Sequence, residues 1–216
     1  MKTVAIISQK GGTGKTTLAV HLGVAAEKRG LRTAIFDLDP QASAASWHDR
    51  RDDTEPVVFP AQAPRLKNLM EQAREQKADL ALVDSAPNAD SASITAARMA
   101  DIILIPCRPA AFDLNAIGTT LGLASLASRP AWVVLNAVPP QGRLAEEARA
   151  ALKSEGVKVA DPLIHHLIAF AHSVNDGLTA QEYDPKCKAA AEIESFFDWL
   201  VQQLNIKAGL RANTKT

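Results

Sequence analysis

Short, almost wholly apolar runs recur along the chain: Val4-Ala5-Ile6-Ile7, Ala34-Ile35-Phe36, Val57-Val58-Phe59, Leu80-Ala81-Leu82-Val83, Ile102-Ile103-Leu104-Ile105 and Ala131-Trp132-Val133-Val134-Leu135. Apolar runs this short, without polar alternation, read as strands covered on both faces. Between them lie segments of helical character. One carries Leu18, Val20, Leu22, Val24 and Ala25 and stops at Arg29-Gly30, where the glycine reads as a C-cap. Others are expected at about 65–76 and 141–155. The last holds Ile193, Phe196, Phe197, Leu200, Val201 and Leu204 on a single apolar stripe. Val157-Lys158-Val159 predicts a final short strand. Strand and helix alternate throughout, which predicts an α/β fold: a doubly wound, mostly parallel sheet flanked by helices. No linker divides it, so one domain is expected over 1–206, followed by a short basic tail over 207–216 with Lys207, Arg211 and Lys215.

Composition narrows the classes of partner. A chain of 216 residues, 47% hydrophobic, buries a sizeable core without staples. Formal net charge is zero, so no global field draws it to nucleic acid and any DNA affinity must come from a local patch. The two cysteines, Cys107 and Cys187, match no metal or redox spacing, which fits a reducing cytoplasm. The apolar N-terminal run ends at Ser8, too short for a signal peptide, and no stretch approaches the roughly 18 apolar residues of a membrane span. The expectation is a cytoplasmic protein.

The chemistry concentrates at Gln9-Lys10-Gly11-Gly12-Thr13-Gly14-Lys15-Thr16-Thr17, directly after the first strand. A strand that stops, a glycine-rich turn and a helix opening on Lys-Thr-Thr form a phosphate cradle, because backbone N–H groups and the positive helix end converge on an anion. Gly11, Gly12, Thr13, Gly14 and Thr17 belong to that cradle, Lys15 supplies a cation for the β- and γ-phosphates, and the Thr16 hydroxyl completes a Mg²⁺ shell. The second strand runs into Asp37-Leu38-Asp39-Pro40-Gln41, where alternation would put Asp37 and Asp39 on one side of an extended segment. Two carboxylates there suit Mg²⁺ waters and an attacking water, although an aspartate capping the following helix is an alternative for one of them. Leu80 to Val83 delivers Asp84 to the Mg²⁺ side of the phosphates, the Walker B position.

Lys-Gly-Gly-Thr-Gly-Lys-Thr at 10–16 resembles the deviant Walker A motif of the ParA/MinD group of ATPases, and Asp-Leu-Asp-Pro-Gln at 37–41 resembles their switch I. The resemblance implies a P-loop NTPase fold of the deviant Walker A type, ATP and Mg²⁺ as cofactors, and a Lys10 that crosses a dimer interface to the partner's nucleotide. It makes Asp39 the water-orienting residue and Asp37 an organiser of Mg²⁺ or Lys15. Asp84-Ser85-Ala86-Pro87 keeps one of the family's two prolines, and Asn88-Ala89-Asp90 would open switch II. Pro106-Cys107-Arg108-Pro109-Ala110 is similar to a dimer-facing segment, which puts Arg108, Phe112 and Asp113 near the subunit interface. Asn136, at the tip of its strand, resembles the relatives' adenine-contacting asparagine, with a turn residue before Pro139-Pro140 as the alternative. With no Asn-Lys-x-Asp guanine motif, ATP is favoured.

Other groups carry plainer readings. His21 lies on an apolar helix and is expected to be packed in the core. His165, His166 and His172 lack partnering ligand spacing and read as surface or interface groups rather than a metal site. Asp49-Arg50-Arg51-Asp52-Asp53 balances its own charge and reads as a solvated helix end.

The function the resemblance implies is an ATP-dependent dimerising switch for plasmid or chromosome partition. It would be associated with the nucleoid, bind nonspecific DNA when loaded, and hydrolyse ATP weakly until a ParB- or ParG-like centromere-binding protein stimulates it. Arg143, Lys153, Lys186, Lys188, Lys207 and Arg211 are the candidate cations; the family's DNA-contacting arginine has no counterpart between Asp161 and Asp176. The alternatives are a MinD-like positioning ATPase at a membrane or polar complex, for which no basic amphipathic C-terminal helix is visible, and a metabolic P-loop ligase or kinase.

Overall fold

The computed structural model describes residues 1–87 and 90–206, with the backbone alone described at 90 and 111–116. The expected basic tail, Asn88, Ala89 and the side chains of Asp90, Phe112 and Asp113 therefore lie outside the described residues.

Six strands, β1 (Lys2–Ile6), β2 (Thr33–Asp37), β3 (Val57–Pro60), β4 (Leu80–Asp84), β5 (Ile102–Cys107) and β6 (Ala131–Leu135), form one sheet in the order β3-β2-β4-β1-β5-β6. Every pairing is parallel. The helices are α1 (Lys15–Lys28), α2 (Ser43–His48), α3 (Ala63–Glu75), α4 (Asp90–Met99), α5 (Ala111–Ala127), α6 (Leu144–Ser154), α7 (Ile168–Asn175), α8 (Ala180–Tyr183) and α9 (Lys188–Leu204).

Side-chain alternation explains why the strands read as continuous apolar runs. Val4, Ile6, Leu80, Leu82, Ile102 and Leu104 pack with α1 and α9 on one face. Ala5, Ala81, Val83, Ile103 and Ile105 pack on the other with residues of α3 to α6. Both faces of the central strands are covered, so those strands read as nearly continuous apolar runs, with polar residues at their ends. The expected strand at Val157-Lys158-Val159 shrinks to a single bridge between Val159 and Val133. No helix among the described residues is long and apolar enough to cross a membrane.

The topology positions the site. From β1 the chain crosses to β2 on one side, and from β4 it crosses to β5 on the other. A crevice therefore opens at the carboxyl ends of the central strands, where doubly wound sheets bind ligands. Register places Asp37 and Asp84 opposite each other on β2 and β4, with Ile6 across from Asp84 on β1. β1 ends at Ile6, and residues 7–14 form the loop into α1.

Candidate nucleotide site

The glycine-rich loop holds its shape by conformations that only glycine takes cheaply. Gly12 and Gly14 have φ of 69° and 89°. A Cβ on Gly14 would lie 2.2 Å from Asn136 Nδ2. Two side chains from neighbouring strand ends pin the loop's carbonyls: Arg108 Nη2 donates to Gly12 O, and Asn136 Nδ2 donates to Thr13 O at 2.6 Å. In a trans peptide the C=O and the next N–H point in opposite directions, so these bonds also aim the N–H groups of Thr13 and Gly14 away from Arg108 and Asn136. Arg108, expected near a subunit interface, thus braces the phosphate loop of its own chain. Asn136 is buried beneath the loop with one amide proton already committed.

The two lysines of the loop occupy opposite environments. Lys15 is 6% exposed, and burial lowers its pKa, opposed by the charges of Asp84 and Asp39. Lys10 is exposed. Thr16 Oγ1 donates to Asp84 Oδ2 at 2.6 Å, and Asp84 Oδ1 is buried with no hydrogen-bond partner among the described residues. Burial raises the Asp84 carboxyl to about 7 against that hydrogen bond, with the charge of Asp37 pushing the same way. A hydroxyl oxygen touching a carboxylate that has one unpaired oxygen is a hard-donor arrangement of the kind Mg²⁺ takes, so these residues fit the ion. Among the described residues no cluster of three or more His, Cys, Asp or Glu is gathered, and His165 pairs with Glu192 instead.

The end of β2 differs from the extended segment expected. The strand stops at Asp37, and Asp39 N donates back to Asp37 Oδ1 at 3.0 Å, closing an Asx turn. Asp37 Oδ2 accepts from Ala44 N at 2.9 Å and Ala45 N at 3.2 Å, capping α2. Asp37 and Asp39 therefore do not line up on one side of a strand: Asp37, 2% exposed, builds the loop, while Asp39 stands partly exposed at the cleft. Burial raises the Asp37 pKa in spite of its three backbone donors. Ala42, at φ 49°, completes the turn in a left-handed conformation.

Two clefts abut along the loop, sharing Gly12, Gly14 and Thr17. One, of about 470 Å³, is lined by Lys15, Thr16, Asp39, Gln41 and Arg50. The other, of about 300 Å³, is lined by Asn136, His165 and the apolar Ile164, Leu167 and Phe170. Their dimensions and chemistry suit a polyanion on one side and a flat, mostly apolar group on the other.

Behind the loop, α1 and α2 are tied to the segment before α9. His21, fully buried, places Nδ1 at 2.7 Å from Thr17 O and accepts from Ala180 N on Nε2 at 3.0 Å, as a neutral ring whose pKa burial lowers to about 4. The core reading of His21 is thereby met, with its polar atoms satisfied. Arg51 is not solvated: its side chain is 2% exposed and forks onto Glu182 at 3.0 and 2.8 Å, 4.5 Å over the Trp47 ring. Trp47 Nε1 donates to Leu178 O at 3.0 Å. Nothing local in the 49–53 charge run distinguishes Arg51 from Arg50. Of the proposed DNA-contacting cations, Arg143 faces Glu146 and Lys188 faces Glu192, Lys153 and Lys186 are exposed on separate elements, and Lys207 and Arg211 lie outside the described residues.

Residues 4–180 match the CobQ/CobB/MinD/ParA nucleotide binding domain family. The chain is 31% identical over 208 residues to the maintenance of carboxysome distribution protein A of Gloeobacter kilaueensis, covering 94% of each chain. It is 25% identical over 227 residues to the chromosome-partitioning ATPase Soj of Thermus thermophilus, covering 88% of this chain and 91% of that one. In fold it is similar to the septum site-determining protein MinD of Pyrococcus horikoshii complexed with Mg-ADP, with a TM-score of 0.77 at 18% identity over 96% of this chain and 98% of that one.

Proposed function

Since the chain belongs to the CobQ/CobB/MinD/ParA nucleotide-binding family, we propose that it is a Mg-ATP-dependent dimerising switch that distributes a large cargo, such as a plasmid or chromosome, over DNA. Its ATPase activity is weak alone and is stimulated by a cargo-bound partner of the ParB or ParG kind. The names of the partition and carboxysome-distribution relatives support a positioning role, and the Mg-ADP complex of the MinD neighbour supports the cofactor pair.

The observation that carries the reading is the opposed placement of Lys15 and Lys10. Lys15, buried beside Asp84 and Asp39, serves the phosphates of its own subunit. Lys10, exposed on the same loop, serves the partner's. In one subunit, the N–H groups of 11–16 bind the phosphates, and Thr16 and Asp84 would hold Mg²⁺, with Asp37 keeping the adjoining loop in place. Asp39 orients the attacking water from the cleft edge. When bound there, Mg²⁺ would supply neutralisation of phosphate charge. Water attack then breaks the bond to the γ-phosphoryl, and loss of that group releases Lys10 and with it the dimer. DNA is held through phosphate neutralisation and falls away steeply with salt.

The test is sedimentation and duplex-DNA binding with ATP, ADP and a nonhydrolysable analogue, at two salt concentrations. Dimers and DNA complexes are expected only with triphosphate. Lys10→Ala keeps ATP binding and loses both; Asp39→Ala prolongs both. Equal DNA binding without nucleotide would remove the switch.

A further inference from the structure

The geometry points to His165 as the residue that reads the purine edge, held in one tautomer by Glu192 so that the cleft prefers adenine to guanine. The assignment rests on the nucleotide-switch reading above and adds to it the group that sets base choice. His165 lines the apolar cleft on the Asn136 side of the phosphate loop, with Ile164 and Phe170 as walls for the faces of a flat ring. Asn136, the obvious purine reader from sequence, spends an amide proton on Thr13 O and is wedged under Gly14. His165 is a second polar group in the same cleft, beside whatever Asn136 still offers a base.

His165 is held in place by two bonds to a single carboxylate. Its backbone N donates to Glu192 Oε2 at 2.9 Å, and its ring Nδ1 lies 2.6 Å from Glu192 Oε1. Lys188 Nζ approaches the same Oε1 at 3.6 Å, so a cation accompanies the carboxylate. A carboxylate accepts only, which puts the proton of the neutral ring on Nδ1 and leaves Nε2 with a lone pair. Nε2 lies on the ring edge away from Glu192 and makes no hydrogen bond among the described residues, while the side chain is 21% exposed. An acceptor in that position receives the amino N–H of adenine. Guanine presents a carbonyl oxygen there, setting acceptor against acceptor, and a site built to receive a donor discriminates against a ligand lacking one.

Calorimetric titration of the full chain with Mg-ATP and Mg-GTP at pH 8 tests this, using the wild type, His165→Ala, His165→Gln and Glu192→Gln. Wild type is expected to favour ATP. His165→Ala lowers the ATP-to-GTP affinity ratio by about tenfold, mostly through weaker ATP binding. His165→Gln, which retains an acceptor, recovers part of that ratio. Glu192→Gln, whose amide tolerates either tautomer, lowers it severalfold, and ¹⁵N-histidine spectra show the His165 ring leaving the Nδ1–H form. A folded variant set whose ratio stays at the wild-type value while ATP still binds overturns this assignment alone. Wild type that binds neither nucleotide overturns the nucleotide reading and this assignment together.

Discussion

Two aspartates face each other in register at the ends of adjacent parallel strands, and their surroundings diverge. Asp37, on β2, has both oxygens taken by backbone N–H groups of Asp39, Ala44 and Ala45. Asp84, on β4, accepts a single bond from Thr16 and keeps a buried oxygen without a donor. Burial raises the pKa of both. The contrast separates a carboxylate that builds a loop from one that leaves an oxygen open. A buried polar atom left unpaired costs about 1–3 kcal/mol, so an arrangement that retains one points to chemistry rather than to stability.

The sharpest way to break the comparison is to neutralise Asp84. Asp84→Asn should reduce kcat for ATP hydrolysis by about 100-fold or more, while its melting temperature holds or rises, since a neutral amide suits that dry position. A large loss of melting temperature would show that Asp84 is structural after all. Asp37→Asn should do the converse. Its single carbonyl oxygen cannot serve three donors, and the unfolding free energy should drop by about 2 kcal/mol in denaturant titration. If stability were kept and the Mg²⁺ requirement rose instead, Asp37 would belong to the cation shell and the contrast would dissolve.

His21 supplies a reference for the satisfied class, with an effect of roughly 3 kcal/mol from pH alone. Its folded pKa of about 4 lies below the ordinary 6.5, so its contribution is complete above 6.5 and is lost as pH falls toward 4, where the unfolded chain binds a proton that the native state refuses. Denaturant titrations across that range should show the slope in wild type and a shallower one in His21→Gln. The smallest expected effect is Ala42→Gly. Relief of the left-handed conformation, less the backbone entropy of glycine, should raise stability by about 0.5 kcal/mol and leave Asp37 in place.

How far the sequence could carry these readings differed by residue. The strands were legible because a sheet buried on both faces writes itself as unbroken apolar runs, and the phosphate loop was legible because its geometry demands glycine at fixed spacing. That one aspartate caps the following helix was legible as an alternative, but which one was open, since alternation assumes that an extended chain continues and only the Asx turn at Asp37 says that it does not. Arg51 escaped for a different reason: its carboxylate partner, Glu182, lies 131 positions away, while nearer aspartates offered a local balance. The bond from Arg108 to the phosphate loop was not foreseen because its acceptor is a backbone carbonyl, a group that every residue carries.

The seat of Trp47 gives the protein a built-in optical reporter. This indole is fully buried, capped by a guanidinium, and forms part of the wall of the phosphate cleft. The other two tryptophans, Trp132 and Trp199, stack edge to face at 5.2 Å away from it, on β6 and α9. Tryptophan emission from a chain carrying Trp132→Phe and Trp199→Phe would thus come from the wall of the phosphate cleft alone, so that a change on adding nucleotide would report on that cleft without a dye.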